Sequence, residues 1–120
     1  MTEAKKRLIE YGLPSWETFY REWKAGRLVN PYHACKSRNL YQAYTRWCSK
    51  AGEKNPLSET KFCTLVSVRE VKKLSWYSVG HNGRKQATCF IIGKAPANVS
   101  DADWLASEIK DFAESLGSPD

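Results

Sequence analysis

The chain has 120 residues, 42% apolar and 27% charged, with five Trp, six Tyr and four Phe; this is the profile of one folded domain and excludes a disordered segment. Net charge is +6, but Lys36–Lys94 carries +9 and Ser100–Asp120 carries −5, which suggests a polyanion-binding body with an acidic end. No apolar run nears the ~18 residues of a membrane span, and none follows the charged Met1–Arg7, so the expected compartment is the cytoplasm, with no membrane partner.

Residues 2–11 predict a short helix anchored by Leu8 and Ile9 and interrupted by Gly12 and Pro14. Ser15 stands where an N-cap would open the next helix. There Trp16, Phe19, Tyr20 and Trp23 recur at i, i+3, i+4 and i+7 as one apolar stripe, ended by Gly26. Residues 28–35, broken by Pro31, read as a short extended piece. Ser37 is the expected N-cap of a long helix to about Ala51, closed by Gly52, with Leu40, Tyr44, Trp47 and Cys48 on its inner face. After the turn Glu53–Pro56, Ser58 caps a further helix whose inward residues are Phe62, Leu65 and Val66, leaving Thr60, Lys61, Thr64 and Ser67 outward. The roughly six-residue connection exceeds the ~3–4 residues of the tightest helix-turn-helix units.

Beyond Val68 the period changes. Val71–Val79 and Gln86–Ile92 are rich in β-branched and aromatic residues, and Asn82-Gly83 between them predicts a type I′ hairpin with a basic tip. Both Trp76 and Tyr77 fit an inward face. Gly93–Asn98 is a loop, and Ser100 with Asp103 opens a last helix along Trp104, Leu105, Ile109, Phe112 and Leu116, ending at Gly117 with a frayed end after it. Together these elements predict an α+β winged helix-turn-helix with an extra N-terminal helix and a C-terminal amphipathic helix. Residues 1–14 form an extension, 15–95 the body and 99–117 the last helix of a single domain.

In that arrangement the third helix enters the major groove and the hairpin, the wing, meets the backbone or minor groove of DNA. The expected contacts are Ser58, Thr60, Lys61, Thr64, Ser67 and Arg69 on and after the helix, with Lys72, Lys73, His81, Asn82, Arg84 and Lys85 on the wing. Short polar groups and one cation suit base edges and phosphates, and Arg84 suits a narrow minor groove. A merely solvated helix face also explains Thr60, Lys61 and Thr64, and edge-strand protection also explains Lys72 and Lys73.

No motif for catalysis, metal or cofactor emerges, and no small-molecule substrate is expected. His33 and His81 are the only histidines, 48 positions apart, and no Gly-rich phosphate loop exists. The cysteines at 35, 48, 63 and 89 contain no Cys-x-x-Cys pair; in the cytoplasm they are expected to be reduced and buried. The Trp16–Trp23 stripe reads as core rather than as a base-stacking platform.

The run Asn39-Leu40-Tyr41-Gln42-Ala43-Tyr44, then Trp47, then Asn55-Pro56-Leu57-Ser58 through Lys61-Phe62, with the late Asp103-Trp104-Leu105, resembles the C-terminal winged-helix domain of phage-type primase–helicases, as in satellite-phage replication proteins. The likeness spans roughly residues 38–105. In that family the domain follows a primase region and a helicase and binds repeats at the replication origin. The resemblance therefore implies double-stranded DNA binding at origin repeats through Ser58–Ser67 and the Lys72–Lys85 hairpin. It implies the helicase and primase parts of the same polypeptide as partner, with ATPase activity residing there. The β-branched stretch Cys63–Val68 departs from the family pattern, and the first 35 residues match it only loosely. Two other readings stay open: a stand-alone transcriptional regulator, and a protein-interaction module contacting a helicase or host factor.

Overall fold

In the computed structural model, which describes residues 13–81 and 83–117, four helices and a three-stranded antiparallel sheet make a mixed α+β fold. The helix expected over residues 2–11, the turn residue Asn82 and the end after Gly117 lie outside the described residues. Among the described residues no helix is long and apolar enough to cross a membrane.

The aromatic stripe forms α1 (Ser15–Lys24), with Trp16, Phe19, Tyr20 and Trp23 all buried. Ser15 does not cap it. Pro14 holds that position and its carbonyl accepts the N–H groups of Glu17 and Thr18, while the Ser15 hydroxyl shares a 2.8 Å hydrogen bond with the Tyr44 hydroxyl. A similar one-residue shift occurs where β1 (Cys35–Lys36) runs into α2 (Ser37–Ala51). Lys36 keeps the extended conformation of the sheet and so occupies the cap position, leaving Ser37 as the first helical residue. Gly52 closes α2 at φ +84°, a conformation glycine adopts without steric cost.

Helix α3 (Glu59–Val66) is capped as its sequence predicts, the Ser58 hydroxyl accepting the Lys61 N–H at 3.3 Å. Strands β2 (Val71–Val79) and β3 (Gly83–Ile91) follow. Helix α4 (Asp101–Ser115) is opened by Ser100, whose hydroxyl accepts the Asp103 N–H at 3.1 Å.

The sheet order is β1-β3-β2. The extended piece read over residues 28–35 condenses to the two residues of β1, which pair Cys35 with Phe90 and Lys36 with Cys89. Alternation then separates two cores. Cys35 and Phe90 join a core built from α1, α2 and α3 and reached by Phe112 of α4, whereas Ala34, Tyr77 and Cys89 pack with Leu105 and Ile109 of α4. The sheet thus lies between three helices and a fourth. All four cysteines are free and buried, and burial raises their thiols, Cys89 to about 11. They act as small apolar packing groups.

Phe62 is the centre of the larger core. Its ring stacks on Tyr44 with centroids 4.4 Å apart and meets Phe19 and Tyr41 at 6.0 and 5.8 Å. The same tyrosines hold the chain entering α3: the Leu57 N–H donates to the Tyr44 oxygen at 3.0 Å, and the Tyr41 hydroxyl donates to the Leu57 carbonyl at 2.9 Å. The connection Gly52–Ser58 is one residue longer than its sequence suggests, yet α2 fixes it by both backbone groups of Leu57.

Beyond α3 a second tie holds the start of β2, where the hydroxyls of Tyr20 and Tyr32 both donate to one carboxylate oxygen of Glu70. Burial, reinforced by the Glu70 charge, pushes Tyr20 far above its ordinary value and Tyr32 up to about 12, so both remain donors.

Tyr44→Phe keeps the ring stack but removes the acceptor of the Leu57 N–H. It is expected to cost about 1–3 kcal/mol, read from urea unfolding as a lower midpoint at unchanged slope. A midpoint equal to wild type would show that the connection holds itself without Tyr44.

Candidate nucleic-acid interface

On α3 the exposed residues include Thr60, Lys61 and Thr64, opposite the buried Phe62, Cys63 and Val66. The inner face thus gains Cys63, while Leu65 is half-buried. Among the described residues the side chains of Thr60, Lys61 and Thr64 are engaged by no other group.

The other expected contacts on this stretch are occupied within the fold. Ser58 caps α3. Ser67 is its C-cap, half-buried, and its hydroxyl donates to the Thr64 carbonyl at 2.6 Å. The Arg69 guanidinium lies 5.4 Å over the Trp16 ring and 5.8 Å over Tyr20, and donates to Glu17 Oε2 at 3.2 Å. Hydrogen bonds from Arg21 and then Arg69 hold the Glu17 carboxyl below its usual range. Arg69 is therefore a strut between α1 and the segment leaving α3.

Lys72, Lys73, His81, Arg84 and Lys85 are all exposed on the hairpin. Register divides four of them between its faces. Lys72 pairs with Phe90 and Ser78 with Arg84, whereas Lys73 pairs with Cys89 and Tyr77 with Lys85. Alternation places Lys72 and Arg84 on the Phe90 face, and Lys73 and Lys85 on the Cys89 face that α4 covers. Lys72 lies close enough to α3 for its charge to oppose the burial that raises the Cys63 thiol. Lys72 thus stands beside α3, whereas Arg84 lies toward the start of α4, where its charge reaches Asp103.

The same alternation decides between the two aromatic residues of β2. Tyr77 is buried, with the Lys36 ammonium 5.0 Å over its ring, and Trp76 is 53% exposed on the opposite face.

The turn differs from the expected type I′ geometry centred on Asn82-Gly83. Gly83 already pairs with Val79, so the turn begins earlier than expected, and among its described residues Gly80 has a positive φ of +54°. The backbone ladder extends irrespective of side-chain polarity, so Arg84 and Lys85 become strand residues. Gly83 is needed for closeness instead, because a Cβ there would meet the Val79 carbonyl oxygen at 2.6 Å.

Near this end of the hairpin, the Ser78 hydroxyl donates to Asp103 Oδ1 at 2.6 Å. That bond, the Ser100 cap and the charge of Arg84 together hold the Asp103 carboxyl below the usual carboxylate range. His33 sits with Glu108 and Asp111, their ligand atoms within 4.8 Å of one another. Its Nδ1–H donates to the Ala34 carbonyl at 2.8 Å and faces Glu108 at 3.4 Å, a contact that docks the approach to β1 on α4. No family model matches the chain, and neither a curated protein nor a solved structure matches it.

The two turn glycines predict different outcomes. Gly80→Ala meets no neighbouring atom and strains only its φ, for a cost of about 1–2 kcal/mol. Gly83→Ala must force two backbones apart and is expected to lower the melting temperature further. Thermal unfolding followed by circular dichroism compares them, and a smaller loss at Gly83 would contradict the close pairing with Val79.

Proposed function

We propose that this chain is a winged helix-turn-helix domain that recognises duplex DNA by sequence, at the repeats of a replication origin, as the C-terminal domain of a cytoplasmic phage-type primase–helicase. The supporting observation is one of order and continuity. The elements run α1-β1-α2-α3-β2-β3 with sheet order β1-β3-β2, and the unengaged residues of α3 are followed by an exposed basic hairpin whose Lys72 stands beside α3. The origin and the primase–helicase context come from the resemblance at residues 38–105.

On this reading α3 lies in the major groove. The hydroxyls of Thr60 and Thr64 reach base edges, and Lys61 donates to guanine acceptors or to a phosphate. Lys72 and Arg84 neutralise backbone phosphates on one side of the wing. Lys73, His81 and Lys85 reach them from its other side and its end. Ser67 and Arg69 act indirectly, by fixing the path from α3 to β2. The chain carries no reaction of its own; primase and ATPase chemistry belong to the remainder of the polypeptide, which is its protein partner.

Fluorescence anisotropy against the origin repeats of the encoding element and against a scrambled duplex, across a salt series, tests this. Preference for the repeats that survives physiological salt is expected. Each true phosphate contact contributes about 0.9 to the slope of log affinity against log salt. Lys61→Ala is expected to weaken the repeats more than the scrambled duplex, by roughly tenfold for a lost base contact, whereas Arg84→Ala weakens both and lowers the slope. Weak binding, equal on both duplexes and abolished by salt, would refute sequence recognition.

A further inference from the structure

Trp76 lies on the hairpin face that carries Lys72 and Arg84, but it is not one of the duplex contacts assigned above. It sits within β2, an outer strand of the sheet paired on one side only, and Leu74, two residues before it, is 60% exposed. Between β2 and the start of α4 lies an open groove of about 620 Å³ walled by Leu74, Trp76, Ile91 and Trp104. Lys73, Arg84 and Lys94 also line it, with one carboxylate, Asp101.

Aromatic walls, three cations and a single carboxylate complement a nucleotide: a flat π face, an anionic backbone and an exocyclic amine. An extended peptide could add to the open edge of β2, but the excess of cations at this groove favours a polyanion. Arg84 stands across the hairpin from Ser78, two residues beyond Trp76, or about 7 Å along the strand. A cation is therefore placed to hold the backbone beside a base stacked on the indole. A base paired within a continuous helix cannot enter such a groove, since both of its faces are already stacked.

We propose that this groove takes one unpaired nucleotide, its base stacked on Trp76, its flanking phosphates held by Lys73, Arg84 and Lys94, and Asp101 accepting from the exocyclic amine of adenine or cytosine. This rests on the DNA-binding reading and extends it. The preferred ligand becomes a duplex with an unpaired end or melted step, as an origin presents when it opens.

The test uses the whole chain and two probes: a blunt duplex, and the same duplex with a short single-stranded overhang carrying a fluorescent adenine analogue. Wild type is expected to bind the overhang roughly tenfold more tightly and to quench the analogue by stacking. Trp76→Ala should abolish both the preference and the quenching, lowering overhang affinity far more than blunt-duplex affinity. Trp76→Phe should retain most of each, and far-ultraviolet circular dichroism confirms that both variants fold.

Wild type binding blunt duplex without preferring the overhang overturns the groove assignment alone, as does an equal loss on both probes in Trp76→Ala. An overhang preference untouched by Trp76→Ala also overturns it and leaves the groove to an extended peptide. Wild type binding neither probe overturns the DNA-binding reading together with this one.

Discussion

The position of α3 depends on the burial of Phe62. A helix of eight residues is too short to persist in water by its own backbone bonds, so tertiary contacts must define it. Full burial of a phenylalanine is worth about 1.5–3 kcal/mol, and each well-oriented aromatic pair adds about 0.5–1.5 kcal/mol. Phe62 has three such neighbours, in α1 and α2. Once its ring is docked, the rotation of α3 about its axis is set, and Thr60, Lys61 and Thr64 face outward as a consequence. The tyrosine grip on Leu57 fixes the remaining freedom, the direction from which the chain enters the helix. An exposed surface is thereby specified by side chains pointing the other way.

The exit from α3 is governed by polar groups. Within four residues the Ser67 hydroxyl takes a helix carbonyl, Arg69 stacks on α1, and Glu70 accepts from two tyrosines. Half-buried acceptors and donors left without partners are costly, so this segment has one favourable path and delivers β2 in a fixed direction. The angle between α3 and the hairpin follows. That angle matters for any ligand spanning both elements, because a rigid two-part surface loses little freedom on binding.

Features set by neighbours in sequence were legible. The periodic helices, the Gly52 end, the Ser58 and Ser100 caps and the existence of the hairpin all follow local rules. What escaped depends on residues far away. Ser15 and Ser37 look like caps, but the Tyr44 hydroxyl claims the first, and sheet pairing holds Lys36 extended before the second. β1 has only two residues, too few for a period, and its partners lie more than fifty positions downstream. Arg69 and Lys72 are both cations close to the same helix, and nothing local distinguishes the one that meets Glu17 from the one left in solvent. Trp76 was recoverable in principle, since an inward Tyr77 forces its neighbour outward, but which of the two turns inward is decided by Leu105 and Ile109 of α4.

The same layering accounts for how an acidic helix can belong to a domain proposed to bind DNA. α4 covers the Cys89 face of the sheet, while α3 and the Lys72–Arg84 side of the hairpin adjoin the Phe90 face. Packed layers are separated by about 10 Å, close to the Debye length of about 10 Å at 0.1 M salt. Repulsion from the far carboxylates is therefore weakened at the surface of α3, while the nearer cations act more strongly on an approaching anion. Asp103 is the exception, because it lies within reach of Arg84. Its carboxylate is fully exposed, and an exposed pair of opposite charges is held only weakly in water. The Ser78 and Ser100 hydroxyls keep Asp103 anchored in the first turn of α4.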